Sequence, residues 1–377
     1  MTAADTKPNL DDPRPARPED YDAMMASVDD VFRVSRGLPS SMADDYPHVY
    51  GPENLPNVMI VKDGPRVASS TGLWVNQIRL GSVTLTIGGI NAVTTLPAYR
   101  RLGLGGKVMD RCAQRMKELG CHVGLLSTAI TNWYRKLGWE NAGTACFYQL
   151  NRSNVTLLPR LDASVRIHDA GKAPDNAALE SLVRLRHGDC LGGIRTTSLT
   201  GILQRAKKQP RVIFALQDDN PVAYLLVRDR AITEWAGEGH TVAGLIRGWY
   251  ETCDDPRAST SARGQNNQVS FSDLMDIVAP ARGHPIADLL RSIGLPCQTK
   301  YLGMLLIVDP KGILEAFGYR DISVRQQNDE YTLEHGGSRV TVTAGQLAKL
   351  LFGPERVCDF ANEILPLPIW QWALERV

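Results

Sequence analysis

The sequence lacks the cysteine patterns that would indicate a metal site or a disulfide framework. It has seven cysteines, at positions 112, 121, 146, 190, 253, 297 and 358, and none forms a C-x-x-C pair. An odd number of unpaired cysteines is typical of reduced, mostly buried thiols. We therefore expect a cytoplasmic protein without a structural metal.

Long apolar runs and runs of one charge are also missing. No stretch approaches the ~20 apolar residues that are needed to cross a bilayer, so we expect no membrane segment. The 42 Lys and Arg nearly balance the 41 Asp and Glu, for a formal net charge of +1. Sequence-independent binding of nucleic acid requires a basic face, so no nucleic-acid partner is expected.

The composition that remains is that of a globular protein, with 43% hydrophobic and 22% charged residues. A chain of 377 residues is too long for one comfortable hydrophobic core, which predicts two or three domains. Residues 1–13 are polar and rich in proline, and they lack the apolar core of a signal peptide. We interpret them as a disordered lead-in.

Residues 14–155 show the pattern of one mixed α/β unit. The predicted order is strand, helix, an antiparallel meander of three strands, helix, strand, helix and strand. Residues 37–56 are rich in Pro, Ser and Asp and are predicted to be a loop. The third meander strand covers residues 83–95, and a one-sided helical pattern follows at Val108, Met109, Cys112 and Met116. The chemistry is expected at the turn between this strand and this helix.

That turn carries a pattern suited to phosphate binding. Residues 100–105 match R-x-x-G-x-G, with Arg100, Gly103 and Gly105 at the defining positions. A helix N-terminus offers free N–H donors and a favourable dipole to a pyrophosphate, and glycine lets the backbone come close. An ordinary glycine-rich helix start is the alternative, and the arginines could lie in solvent. The predicted cofactor-binding residues of this segment are Val93, Thr94, Thr95, Arg100, Arg101, Leu102, Gly103, Leu104, Gly105 and Gly106.

A second motif follows at residues 132–139, with the sequence NWYRKLGW. Together the two motifs resemble motif A and the x-Y-x-x-x-G-F segment of the GNAT superfamily of N-acetyltransferases, with Trp139 in place of Phe. The resemblance implies acetyl-CoA as cosubstrate, an amine as acceptor and Tyr134 as general acid beside the thioester. It also places Ser127 against the pantetheine arm and implies a strand bulge that directs an amide near Thr94 or Thr95 at the thioester. A packing role for Tyr134 is the alternative.

The remainder of the chain resembles the enhanced-intracellular-survival (Eis) group of this superfamily. The resemblance implies an α/β fold with a mixed sheet, in which tandem GNAT-like domains precede a small sterol-carrier-protein-like α/β domain. The expected ranges are 14–155 for the acetyltransferase domain, 160–300 for a degenerate GNAT-like domain and 301–377 for the last domain. The group also places the chain's terminal carboxylate, here that of Val377, near the acceptor as a base. A free terminus in solvent is the alternative.

The sequence is compatible with a second mechanism, a second function and several acceptors. A covalent route through Cys121 or Cys146 is the second mechanism, although neither has a histidine partner in a known motif. A non-catalytic acyl-CoA-binding or scaffold protein is the second function. The acceptor could be an aminoglycoside, a polyamine, another small amine or a protein lysine. Homo-oligomerisation is compatible with the resemblance.

Overall fold

The computed structural model describes residues 8–206, 209–254 and 274–377. Its first part alternates helices and strands much as the sequence predicts. The helices are α1 (Tyr21–Phe32), α2 (Met42–Asp45), α3 (Pro47–Tyr50), α4 (Leu104–Glu118) and α5 (Thr131–Arg135). The strands are β1 (Arg14–Pro15), β2 (Val58–Asp63), β3 (Arg66–Leu80), β4 (Val83–Thr95), β5 (Val123–Leu126) and β6 (Glu140–Leu150).

The rest of the chain adds further strands and helices of the same kinds. The helices are α6 (Asn176–Gly188), α7 (Thr197–Arg205), α8 (Gly239–Asp254), α9 (Pro285–Ser292), α10 (Pro310–Ala316) and α11 (Ala344–Phe352). The strands are β7 (Val165–Gly171), β8 (Leu191–Gly193), β9 (Arg211–Gln217), β10 (Asn220–Arg228), β11 (Ala231–Gly237), β12 (Met275–Pro280), β13 (Cys297–Ile307), β14 (Ser323–Gln327), β15 (Glu330–His335) and β16 (Ser338–Thr343).

One mixed sheet of 13 strands runs through most of the molecule, which confirms the α/β fold class. Its order is β1-β2-β3-β4-β5-β13-β6-β12-β11-β10-β9-β7, and β8 pairs with β3. Strands β4 and β5 are parallel, as are β11 and β12, and the other neighbours are antiparallel. The two parallel pairs occupy corresponding positions in the two halves of this sheet, as expected for a tandem repeat. Strands β14, β15 and β16 form a separate sheet.

Helix α4 packs on the sheet through the face that its spacing predicts. Val108, Cys112 and Met116 are fully buried, and Met109 is nearly so. The sheet makes room for the helix at Gly88, where an added Cβ would lie 2.9 Å from Cγ of Met116. This packing fixes the N-terminus of α4 beside the end of β4.

Some predictions from the sequence differ from the structure. Residues 1–7 of the expected disordered lead-in lie outside the described residues. For residues 9–11 the prediction is wrong, because the N–H of Asn9 donates to Asp63 Oδ1 at 2.9 Å, Leu10 bridges to Asp63, and the N–H of Asp11 donates to Lys62 O at 3.0 Å. The predicted loop at 37–56 contains α2 and α3, which are too short to show a helical period. Strands β7, β8 and β14 and helix α10 were not predicted, because short or half-buried elements have a weak hydrophobic pattern.

Strand β13 connects the C-terminal part of the chain to the first unit. It lies between β5 and β6 and pairs antiparallel with both. The boundary that we expect between residues 300 and 301 therefore falls within a strand, and the domain ranges remain a proposal. Within the described ranges, no helix is both long enough and apolar enough to cross a membrane.

The position of β13 predicts that Gly303→Ala destabilises the protein. The new Cβ would lie 2.7 Å from the carbonyl oxygen of Leu126 on β5, and crowding of this kind typically costs ~1–3 kcal/mol. Thermal unfolding should show a lower Tm than for the wild type. Gly188→Ala is the control, because its Cβ meets no atom within 4 Å and its Tm should not fall. Equal Tm values for the two variants would contradict the pairing of β13 with β5.

Candidate active site

The central feature of the candidate site is the separation of β4 and β5. The two strands pair only at Ile87, Gly88 and Gly89, opposite Val123, Gly124 and Leu125. Strand β4 then continues to Thr95 while β5 ends at Leu126. Backbone groups on this edge of β4 therefore face an opening, because the neighbouring strand no longer takes their hydrogen bonds.

A β-bulge lies in the part of β4 that pairs with β3 but no longer with β5. On the opposite edge, Ser70 pairs with Thr94 but Gly72 pairs with Asn91, so β4 has one extra residue here. Ala92, within the bulge, has a positive φ of 48°. A bulge of this type bends the strand and redirects amides. The bulge that the resemblance implies near Thr94 and Thr95 is therefore present.

The predicted phosphate loop connects β4 to α4 in a tight turn. Gly103 is the N-cap of α4 and has φ of 75°, a left-handed conformation that glycine adopts without strain. Helix α4 then begins at Leu104, so the N–H groups of Leu104, Gly105 and Gly106 belong to its first turn and have no helical acceptor. An added Cβ on Gly106 would meet no atom within 4 Å. This end of the helix is open to an anion.

A groove of about 560 Å³ runs along the opening and the loop. Nine predicted site residues line it: Val93, Thr95, Arg100, Arg101, Gly103, Leu104, Gly105, Gly106 and Tyr134. The groove also contains four residues outside the predicted set: Val31, Tyr99, Ile130 and Trp133. Trp133 lies within the second motif and Ile130 two residues before it, so their proximity to Tyr134 was a usable signal. Val31 lies on α1, and only the tertiary structure brings it here.

The other predicted residues lie near the groove but do not line it. Thr94 is fully buried, and its hydroxyl donates to Ala92 O at 3.0 Å, inside the bulge. Leu102 is 46% exposed. Ser127 is exposed directly after β5. These three were predicted as cofactor-binding residues, and the structure gives them no direct place in the groove wall.

Tyr134 is held in the groove by packing. It is buried in α5, and its ring lies edge-on to that of Trp133 at 4.7 Å between centroids. Burial raises the pKa of its phenol to about 12. Among the hydrogen bonds of the described residues, none engages its hydroxyl. The side chain therefore presents a protonated, unengaged phenol at neutral pH.

The side chain of Val377 lies against β4 at the point where β4 and β5 separate. A Cβ on Gly89, the last residue of β4 that pairs with β5, would lie 2.6 Å from Cγ2 of Val377. Val377 also packs with the buried cluster that contains Trp74 and is joined by Ala92 of the bulge. It is outside the groove wall described above, but it contacts the same strand.

The cysteines and the histidines offer no comparable site in the described residues. Burial raises the pKa of both Cys121 and Cys146 to about 11, which makes them poor nucleophiles. Asp189, Cys190 and His284 are close enough to share a metal ion. However, Asp189 forms an ion pair with Arg186 at 2.9 Å and contacts His284 at 3.1 Å, so these groups already satisfy one another.

The second parallel strand pair ends differently from the first. Only Glu238 separates β11 from α8, and its carboxylate accepts the N–H groups of His240 at 2.9 Å and Thr241 at 2.8 Å. These hydrogen bonds lower the pKa of Glu238, so it is ionised at neutral pH. The N-terminus of α8 thus carries its own anion and would repel a phosphate.

Comparison with known proteins agrees with this geometry. Residues 12–142 match the family model of the acetyltransferase (GNAT) domain. No curated protein matches the chain. Among solved structures, Eis1 from Mycobacterium abscessus is similar with a TM-score of 0.60 and 13% identity, over 91% of this chain and 89% of that one.

Two further solved structures show the same fold. A GCN5-related N-acetyltransferase from Anabaena variabilis has a TM-score of 0.59 and 16% identity, over 91% of this chain and 90% of that one. A probable N-acyltransferase from Enterococcus faecalis has a TM-score of 0.59 and 15% identity, over 90% and 85%. The domain match and the fold support an acyl-CoA-dependent N-acyltransferase, and the similarity to Eis1, at 13% identity, is a similarity of fold.

The open helix end predicts that Gly105→Glu or Gly106→Glu abolishes acetyl-CoA binding, because a carboxylate there would repel the pyrophosphate. Calorimetry would measure the affinity. A Cβ on Gly105 lies 3.2 Å from Trp133 Cζ2, whereas one on Gly106 meets nothing within 4 Å, so the second variant separates charge from crowding. Gly188→Glu is the control and should bind normally. Unchanged affinity in Gly106→Glu would show that this turn does not hold the phosphates.

The contrast between α4 and α8 predicts one acetyl-CoA per chain. Of the two helices that follow a parallel strand in the described residues, α4 has a free N-terminus, whereas Glu238 occupies the N-terminus of α8. A calorimetric titration should therefore saturate at one equivalent. Saturation at two equivalents would contradict the assignment of the second unit as degenerate.

Proposed function

Residues 12–142 form an acetyltransferase (GNAT) domain, and from this premise we propose that the protein transfers the acetyl group of acetyl-CoA directly to an amine. The observation that carries the proposal is the meeting of three features in one groove. These are the unpaired end of β4, the open N-terminus of α4 and the phenol of Tyr134. A thioester placed at the strand opening would lie between the phosphate loop and an acid.

The phosphate loop binds the charged part of the cosubstrate in this proposal. The N–H groups at the start of α4 converge on the pyrophosphate, and Gly103, Gly105 and Gly106 allow close approach. Arg100 and Arg101 line the groove and add positive charge. The Nε of Arg100 donates a hydrogen bond to Thr95 O at 3.5 Å, which orients the side chain. The pantetheine arm then follows the opening between β4 and β5, past Ser127.

The bulge stabilises the reacting carbonyl. An amide of β4 near Thr94 or Thr95 would donate to the oxyanion that forms when the amine attacks. The strand is held in place here, because the Ser69 hydroxyl donates to Thr94 O at 2.7 Å and lies 3.0 Å from Thr95 Oγ1. Such a fixed donor needs little reorganisation during the reaction.

Tyr134 acts as the general acid. The amine nitrogen forms a bond to the carbonyl carbon, the carbon–sulfur bond breaks, and the CoA thiolate takes the proton of the phenol. A buried phenol with a pKa of about 12 remains protonated throughout the neutral range, so the acid form is available. A free thiol has a pKa of ~8.5, so the phenolate left on Tyr134 is a stronger base than the CoA thiolate. The phenolate must take up a proton before the next turnover.

The carboxylate of Val377 is the proposed base. An α-carboxyl group has a pKa of ~3.5, so it is ionised at neutral pH and can accept a proton from the acceptor, directly or through water. The side chain of Val377 lies beside Gly89, where β4 and β5 part, and this position supports the role. Orientation and attraction of a cationic amine would be its larger effect, because it is a weak base for an ammonium ion.

The remaining assignments complete the proposal. Residues 160–300 form a degenerate GNAT-like domain that does not bind CoA, and residues 301–377 form a sterol-carrier-protein-like domain built on β14, β15 and β16. We propose a cytoplasmic protein that forms homo-oligomers. The acceptor is an aminoglycoside, a polyamine, another small amine or a protein lysine.

A panel of amines tests the function. Thiol release from acetyl-CoA should increase with at least one amine, and mass spectrometry should find acetyl on that amine. A protein that binds acetyl-CoA tightly but releases no thiol with any member of the panel would instead be a non-catalytic acyl-CoA-binding or scaffold protein.

Removing one hydroxyl tests the acid. Tyr134→Phe keeps the ring that packs on Trp133, so folding and acetyl-CoA affinity should be preserved. Loss of general acid catalysis should lower kcat ~100- to 10,000-fold. Tyr148→Phe is the control, because Tyr148 is a buried tyrosine on β6 that does not line the groove, and its kcat should stay at the wild-type value. Full kcat for Tyr134→Phe, in an assay limited by chemistry, would make Tyr134 a packing residue.

The raised pKa of Tyr134 also predicts the shape of the pH profile. Activity should rise with pH as the acceptor amine loses its proton, and Tyr134 should cause no decline until the pH approaches its pKa of about 12. The measurement is kcat against pH for the wild type and Tyr134→Phe. A descending limb near neutral pH that disappears in the variant would contradict a phenol with a raised pKa.

A further inference from the structure

The tail that ends at Val377 is anchored by one buried carboxylate. Glu375 is 1% exposed, and its Oε1 accepts the N–H of Gly193 at 3.0 Å and lies 3.3 Å from Nε of Arg195. Its Oε2 accepts the N–H of Trp372 at 3.0 Å. Both oxygens are therefore engaged, and the partners of Oε1 come from the middle of the chain.

The partners of Glu375 are themselves fixed. Arg195 is 5% exposed and also donates to Oε1 of Glu234, which accepts the Tyr224 hydroxyl at 2.5 Å. Glu234 lies on β11 and Tyr224 on β10. Gly193 belongs to β8 and pairs with Ile78 on β3. The contacts thus run from the central strands of the second unit to the C-terminal tail.

The backbone of the tail is held from the first unit as well. The carbonyl oxygen of Glu375 accepts from Gln371 Nε2 at 2.9 Å and from Asn76 Nδ2 at 3.3 Å. Asn76 lies on β3, two residues after Trp74, which pairs with Gly89 of β4. Val377 follows Glu375 by two residues and contacts that same glycine. With Glu375 fixed at side chain and carbonyl, little freedom remains for the terminal carboxylate.

We propose that the Glu375–Arg195 pair positions the terminal carboxylate of Val377 at the opening between β4 and β5, so that the second unit contributes to acetyl transfer without binding CoA. This inference rests on the proposed role of that carboxylate. Glu375 and Arg195 are positioning residues, because they act through Val377. A buried ion pair is weak evidence for stability, since desolvation offsets its attraction, but it fixes geometry well. Near a reacting centre, a displacement of 1 Å can cost ~100-fold in rate.

A double-mutant cycle tests the proposal. The four proteins are the wild type, Glu375→Gln, a chain extended by Gly-Ser after Val377, and the combination. Each single change should lower kcat/KM for the amine ~10- to 100-fold, with the Kd for acetyl-CoA unchanged, because both misplace the same carboxylate. The combination should lose no more than the worse single variant. A purely structural role for Glu375 would give additive losses.

Gly193→Ala provides a second route if Glu375→Gln fails to fold. It leaves every charge in place, but its Cβ would overlap Oε1 of Glu375 and displace the carboxylate. It should lower kcat/KM, and this loss should likewise not add to the loss caused by the extension. Asp20→Asn is the control, because Asp20 is a fully buried carboxylate bonded to Arg14 and Lys62 in the first unit. Its Tm should fall while kcat/KM stays at the wild-type value.

The outcomes separate the two proposals. If the extension alone leaves kcat/KM intact, the terminal carboxylate takes no part in the reaction, and both the proposed base and its positioning are wrong. If the extension is harmful but Glu375→Gln and Gly193→Ala are harmless or additive with it, the base stands and the positioning proposal is overturned. Acetyl transfer itself is measured in every arm, so a failure of the general function would be seen separately.

Discussion

The structure depends on one interruption of hydrogen bonding, the loss of contact between β4 and β5 beyond Gly89 and Leu125. In a parallel pair, the N–H and C=O groups on the facing edges of the two strands hydrogen-bond to each other. Where the strands separate, these donors and acceptors lose their partners. Here those groups face a groove that also receives the N-terminus of α4. The bulge at Ala92 and the burial of α4 against Gly88 hold the opening in place. In the function that we propose, carbonyl polarisation and access of the acceptor both depend on this gap.

The two halves of the large sheet show how similar strand arrangements can differ in chemistry. Each half contains a pair of parallel strands, and a helix begins after the first strand of each pair. At α4 the loop is long and glycine-rich, and the helix end is free, whereas at α8 a single residue, Glu238, occupies the first amides. One carboxylate is enough to exclude a pyrophosphate, because it satisfies the donors and places like charge at the site. The second half is instead connected through Arg195 to the tail that reaches β4.

Much of the first unit could be predicted from the sequence, because its signals are local. The bounds of β4 at residues 83–95 and the glycine turn after it were predicted correctly, and nine of the predicted site residues line the groove. Leu102 and Thr94 were included because they lie within the motif, but a side chain's direction depends on the turn and the bulge around it. Strand β8 has three residues, two of them glycine, so it has no hydrophobic period to detect.

The sequence by itself determined the glycine-rich turn after β4, the helix that follows it and the nearby segment of Tyr134, because backbone conformation and helix starts depend on residues that are neighbours in the chain. Only the tertiary structure decided that β13 lies between β5 and β6, that Val31 reaches the groove, and that Val377 contacts Gly89. These contacts join residues that are far apart in sequence. They arise from burial of shared surface and from the pairing of buried charges such as Arg195 and Glu375, which leave no periodic trace in the sequence.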